Sequence, residues 1–254
     1  MSAIVVLCVI IPFFTGTATR MNFEALSLPP SSSHLFGTDP LGRDLFSMIF
    51  HGGRVSLYIG LLATAFSTAI AMVYGTVSGL AGEIADTIFM RFVELLLSIP
   101  SILYVVTIQA ILGQPSMTSI AVVIGFTSWM NISKMIRTEV LRVRRTEYVL
   151  SARHMGGRFL YILWKHLLPN FAPAILFMIV SNIGSAITAE ATLSFMGIGL
   201  PATVVSWGSL MSLSQNALLS GTWWIIMIPG IFLVSTLVCV TNIGEYYRKT
   251  NTLR

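Results

Sequence analysis

Charge is what this sequence has least of. Only 10% of its 254 residues are Asp, Glu, Lys or Arg, against roughly a quarter in an ordinary soluble domain. With 55% hydrophobic residues and a mean hydropathy of +0.82, the composition excludes a soluble globular domain and implies a membrane protein. Cysteine is almost missing as well. Cys8 and Cys239 sit far apart in apolar stretches, which excludes a disulfide framework and a cysteine-based metal site. Lysine is limited to Lys134, Lys165 and Lys249, which follow Ser133, Trp164 and Arg248. Without a Gly-Lys pair there is no phosphate-cradling P-loop, so the chain is not expected to be an ATPase or another enzyme. His34, His51, His154 and His166 lack the spacing and companions of a ligand cluster, so neither a metal site nor a resident cofactor is expected.

What is present is a series of charge-free runs. A spanning α-helix needs about 20 apolar residues, and a charge at the bilayer centre costs about 2.5–3.5 kcal/mol even on a gentle scale. Five runs qualify: Val55 to Gly82, Leu95 to Gly113, Pro115 to Ser133, Phe171 to Ala189 and Thr222 to Ile243. A sixth, Ala3 to Phe14, is short and contains Pro12. It reads as a shortened first span or as the remnant of a truncated N-terminus; a signal peptide fits less well, since no basic residue precedes it. Pro100 and Pro229 should bend their helices by removing an internal hydrogen bond. The 13 methionines are scattered through the runs and read as core filling.

The net charge of +5 is explained by its distribution, with no need for nucleic acid. Of 15 Lys and Arg, eight lie between Lys134 and Lys165, and Arg248, Lys249 and Arg254 form the tail. Positive residues collect on the cytoplasmic side, which places that insert, the tail and, with six spans, the N-terminus in the cytoplasm. Thr15 to Arg54 and Glu190 to Gly221 are then external, and Glu83 to Arg91 is a short internal link.

The insert holds "EYVLSARHMGGRFLYILWKHLLPN", Glu147 to Asn170. Its periodicity predicts two short amphipathic helices, bent at Gly156-Gly157 and closed by Pro169. Such a pair either anchors to lipid through Arg153, Arg158 and Lys165 or docks its apolar side into a partner's groove. The residues alone leave both open.

The stretch resembles the "EAA…G…LP" cytoplasmic loop of binding-protein-dependent ABC importer permeases, here as Leu150-Ser151-Ala152, Gly156 and Leu168-Pro169. Leu150 stands where that loop usually has Glu, and Ser151 where it has its first Ala. "FGTDPLGRDLFSMIFHGGRVSL" (Phe36 to Leu57), "KHLLPN", "LSFMGIGLP" (Leu193 to Pro201) and "SWG" (Ser206 to Gly208) are similar, in the same order, to segments of the dipeptide, oligopeptide and nickel permeases. Met48 replaces a common Arg, and the tail lacks the family's longer ending.

The resemblance implies an all-α, polytopic fold of about six transmembrane helices, the type I ABC importer permease fold. It divides the chain into a short first span with an external segment (1–54), a permease domain (55–243) with a coupling loop at about 134–170, and a cytoplasmic tail (244–254). It implies a multi-pass protein of the cytoplasmic membrane, moving peptides, nickel or metal chelates. Its expected partners are a second permease subunit, two ATP-binding subunits that use ATP-Mg, an external substrate-binding protein and membrane lipid. Contact with the ATPase would fall to Glu147, Leu150, Ser151, Ala152, Gly156, Gly157 and Pro169. A secondary transporter or channel is the alternative, disfavoured because mid-span charges and paired broken helices are lacking; a non-transporting membrane anchor is another.

Ionisable groups at membrane depth are functional candidates. Glu94 has Arg91 one turn earlier, a spacing that suits an ion pair. Glu190, with Ser194, Phe195 and Trp207 beside it, is a candidate gate or pathway group. Gln109, Asn131, Ser181 and Asn182 are polar positions for which helix packing is favoured over substrate contact. The Pro- and Ser-rich segment from Thr15 is either a flexible connector or an ordered docking surface, the latter preferred for Gly37 to Arg54.

Overall fold

The computed structural model describes residues 2–113, 115–147, 149 and 168–252. Among these the architecture is all helical, with Thr38 and Asp44 forming an isolated bridge. The helices are α1 (Ser2–Phe14), α2 (Leu45–Leu80), α3 (Glu83–Leu97), α4 (Ser101–Leu112), α5 (Met117–Arg144), α6 (Leu168–Phe195), α7 (Trp207–Ser220) and α8 (Trp224–Thr252). Four are long and apolar enough to cross a membrane: α2, α5, Ile175–Phe195 of α6 and Trp224–Arg248 of α8.

The expected span from Leu95 to Gly113 bends at Pro100, as its residue types predict, but as a full break. It is split between α3 and α4, whose axes differ by 81°. Pro100 has no N–H to carry the helix onward, and Ser98 Oγ donates to the Leu95 carbonyl at 2.6 Å, closing the last turn of α3. The 12 residues of α4 rise only about 18 Å, too little to cross alone. Glu83 to Arg91, expected to be a link, is part of α3.

Three further boundaries move. α2 begins at Leu45, well before Val55, because the Asp44 carboxylate accepts from the Ser47 N–H at 2.9 Å and caps the helix. Arg54 does not end it; its guanidinium lies over the Phe13 ring, 5.6 Å from the centroid. α5 continues past Ser133 to Arg144, and α6 continues past Ala189 to Phe195, with α7 following inside the stretch from Glu190 to Gly221. Pro169, expected to end a helix, instead sits in the first turn of α6, where its missing N–H costs nothing.

The long α2 is the spine, packed most extensively on α5. Gly75 permits their close approach: a Cβ there would lie 2.5 Å from the Ser133 carbonyl oxygen. Around the crossing, Val93, Trp129, Ile136 and Val140 are buried together, and Tyr74 stacks between the rings of Phe89 and Trp129. α6 is tied to α2 by Asn182, whose Nδ2 donates to Ser67 Oγ at 2.8 Å. At the α1 end, Cys8, Leu45, Ile49, Trp207 and Trp224 form a second cluster.

The segment from Thr15 to Asp44 is ordered. Asp39, fully buried, accepts from the backbone N–H of Leu41 and Arg43 and from Arg43 Nε at 2.7 Å. Trp224 Nε1 donates to the Thr38 carbonyl at 3.1 Å, fastening this turn to the start of α8.

Candidate functional site

Two features could serve transport: a buried carboxylate network and the cleft that runs beside it. Glu190, expected near a helix end in an external segment, is instead inside α6 and fully buried. Its Oε2 accepts from Ser56 Oγ of α2 at 2.9 Å. Its Oε1 accepts from Ser194 Oγ, one turn onward, at 2.8 Å and from Ser206 Oγ at 2.7 Å. Among the described residues no basic side chain forms an ion pair with it. Three hydroxyls therefore supply the hydrogen bonds that a buried carboxylate requires.

The network also organises α7. Ser206 is its N-cap, accepting from the Ser209 N–H at 3.0 Å while Ser209 Oγ receives the Ser206 N–H at 2.8 Å. Ser56 Oγ, besides donating to Glu190, accepts from the Trp207 N–H at 3.2 Å. The carboxylate thus lies at the N-terminus of a 14-residue helix, where the dipole favours negative charge. Trp207 is buried and donates through Nε1 to the Ile49 carbonyl at 3.0 Å.

Of the four residues expected at a gate, the structure brings Glu190, Ser194 and Trp207 together and leaves Phe195 exposed. It adds Ser56 and Ser206. Ser206 was legible as the first residue of a Ser-x-x-Ser cap, whereas Ser56 had no local signal.

On the opposite side of α6 an open cleft of about 540 Å³ is lined by Ser101, Val105, Ser128, Ser185, Thr188 and Thr192, among others. A second, of about 480 Å³, shares Ser101, Thr127, Ser128, Ser181, Ser185 and Ala189 with it and adds Asn131 and Asn182. Among the described residues no Asp, Glu, Lys or Arg lines either cleft. Several hydroxyls donate back to their own helices: Ser128 to Ile124, Ser185 to Ser181 and Thr188 to Gly184. Their lone pairs remain as acceptors on the wall. Gln109, in α4, is buried and has no hydrogen-bond partner among the described residues.

At the other end of α2, Arg137 grips Asp86 through two nitrogens, Nε reaching Oδ1 at 2.6 Å. Ser78 Oγ donates to the same Oδ1 at 2.6 Å. Arg144 Nη1 donates to the Gly79 carbonyl at 3.1 Å, at the C-terminus of α2. Arg91 and Glu94 form the expected ion pair at 2.9 Å. Of the expected ATPase-contact residues, Glu147 is exposed, three residues past the end of α5; Leu150, Ser151, Ala152, Gly156 and Gly157 lie outside the described residues.

A membrane bundle with an uncharged, hydroxyl-lined cleft between helices is the form of a permease subunit. The chain belongs to the family described as "Binding-protein-dependent transport system inner membrane component", which matches residues 71–247. It is a multi-pass cell-membrane permease of the ABC importer class, in the peptide branch of that family. It is 35% identical over 94% of its length, and 75% of the relative's, to the dipeptide transport system permease protein DppC of Bacillus subtilis. It is 33% identical to the oligopeptide transport system permease protein OppC of the same organism, over 95% of this chain and 78% of that one. In fold it is similar to a chain of the MetNI methionine ABC transporter in inward-facing form, with TM-score 0.67, 17% identity, and coverage of 80% of this chain and 96% of that one.

Proposed function

We propose that this chain forms one wall of a peptide pathway in an ATP-driven importer. The observation that carries the reading is the pair of adjoining clefts, about 540 and 480 Å³, whose described lining consists of polar and apolar groups without a formal charge. Peptides differ in side-chain charge but share an amide backbone. A neutral wall rich in acceptors tolerates that variation and offers no fixed charge to hold cargo in transit. The relatives named as dipeptide and oligopeptide permeases support peptide over nickel or metal chelates as cargo.

The open side of the cleft is completed by a second permease subunit. Two ATP-binding subunits, using ATP-Mg, engage the loop from Glu147 to Pro169, with Leu150, Ser151, Ala152, Gly156 and Gly157 at its centre. A substrate-binding protein delivers cargo from the opposite face. The Arg-rich end of α5 and both termini are cytoplasmic, as the distribution of positive charge favours. Closure of the ATPases moves the loop as a rigid body and alternates access to the cleft.

The test is ATP-dependent uptake by the chain reconstituted with these partners, offered labelled dipeptide, oligopeptide, and nickel both free and chelated. Peptide uptake that is lost in Gly156→Pro, with membrane insertion intact, supports the assignment. Normal uptake in that variant defeats the coupling role, and uptake of metal alone defeats the peptide reading.

A further inference from the structure

α3 carries a pattern that transport by the cleft does not use. Its residues recur at about 100° per position around the axis, and its surface divides into three sectors. Asp86, Met90 and Val93 are buried against the bundle. Glu83, Thr87, Arg91 and Glu94 form an exposed polar sector. Next to it Ile84, Ile88, Phe92 and Leu95 form an apolar one, with exposures of 80, 64, 51 and 70%. Burying such side chains is worth about 1.5–3 kcal/mol each, so a stripe of four along one helix is not a neutral feature of a surface in water.

We propose that α3 is an interfacial helix, its apolar stripe seated in the lipid boundary and its polar sector in water. Four observations select lipid as the occupant. Three acids and an arginine within 15 residues exclude the bilayer centre. The 81° bend at Ser98 to Pro100 prevents α3 from continuing the line of α4, which packs alongside the spanning α5. The elements on either side of α3 also expose apolar residues, Val73 and Val77 on the spanning α2 before it and Leu103 on α4 after it. The charge nearest the stripe, Arg91, is paired with Glu94, and Asp86 on the buried side is paired with Arg137, so contact rests on apolar area and not on headgroup charge. Fixed by Asp86 to α5 and by Tyr74 Oη, which donates to the Phe89 carbonyl at 2.8 Å, α3 acts as a float that sets the depth of the α2–α5 pair.

The experiment places a nitroxide in turn at positions 83, 84, 87, 88, 92 and 94 of the full chain, by single cysteine substitutions in a Cys8→Ala, Cys239→Ala background. The protein is reconstituted in phosphatidylethanolamine and phosphatidylglycerol vesicles. Collision rates with oxygen, which concentrates in lipid, are compared with those of chromium oxalate, which stays in water. All labelled positions are exposed, so labelling leaves the core intact, and Cys8→Ala is the one change to a buried side chain; retained uptake alongside the partner subunits verifies folding. The expected result is a severalfold oxygen preference at 84, 88 and 92 that reverses at 83, 87 and 94. Chromium oxalate reaching 88 as freely as 87 overturns the proposal in favour of water. Low collision with both reagents at 84, 88 and 92 overturns it in favour of a protein partner, and dipolar broadening would identify that partner as a second copy.

Discussion

Ser206 Oγ donates to Glu190 Oε1 at 2.7 Å, and the two residues belong to different helices. The same hydroxyl that caps α7 therefore also solvates a buried carboxylate in α6, while Ser56 links that carboxylate to α2. The positions of the two helices are coupled here: α7 cannot leave α6 without stripping a hydrogen bond from a buried carboxyl group that has no ion-pair partner among the described residues. The network lies behind the wall of the cleft, since Thr188, Ala189 and Thr192 on α6 face the cleft while Glu190 faces away from it.

Glu190→Ala should remove the acceptor for three buried serine hydroxyls. Each unsatisfied polar group costs about 1–3 kcal/mol, and partial rearrangement of the hydroxyls leaves a net loss of about 3 kcal/mol. Glu190→Gln keeps an oxygen toward Ser194 and Ser206 and should cost less than half as much. Thermal unfolding of both purified variants in detergent is the check. Equal losses would show that the charge, and not the acceptor geometry, holds the site.

The Asp86–Arg137 contact joins α3 to α5 with two parallel hydrogen bonds and partial exposure of the guanidinium. Asp86→Asn and Arg137→Gln should each destabilise by about 2 kcal/mol, below the 3–5 kcal/mol of a fully buried pair. The double variant should lose far less than the sum. A double-mutant cycle in denaturant measures this, and additive losses would rule out direct coupling.

Gly208→Ala should be severe for so small a change. A Cβ at Gly208 would lie 2.5 Å from the Ala191 Cα and 2.9 Å from its carbonyl oxygen. Backbone atoms of α6 cannot swing aside as a side-chain tip does, so α7 must shift and the Glu190 network loosen, at about 1–3 kcal/mol. A thermal midpoint equal to the parent's would show that α7 has slack.

Much of this fold was legible because membrane spans announce themselves through missing charge. The helical class, the break at Pro100 and the Arg91–Glu94 pair followed from residue types and spacing. The boundaries did not. Arg54 looked like the edge of a span, yet it lies within α2 and its long side chain reaches over an aromatic ring, here Phe13. α7 lies in the segment read only as external, and its Ser-x-x-Ser cap lacks the Glu that marks the stronger box. Ser56 and Glu190 are 134 residues apart, and no local pattern can report a hydrogen bond of that range. Asp86 had its partner in Arg137, 51 residues onward, so the charge that seemed to mark a link was instead a tertiary anchor.

The neutrality of the cleft makes a directional prediction. Ser185 lines both of its halves, and its hydroxyl only returns a bond to the Ser181 carbonyl, so Ser185→Asp removes little from the fold and adds one fixed negative charge to the wall. Between water-like and surface-like screening, two like charges about 4 Å apart repel by about 1–4 kcal/mol. Uptake of a peptide with a net negative charge should fall about tenfold relative to one with a net positive charge, a ratio equivalent to about 1.4 kcal/mol. Ser185→Asn, similar in size and uncharged, should leave the ratio alone. Competitive uptake of the two peptides in reconstituted vesicles measures it directly. Because the binding protein and ATPases are unchanged, a ratio that shifts only for Asp assigns the effect to the wall, and a ratio that stays fixed for both variants would place the pathway elsewhere.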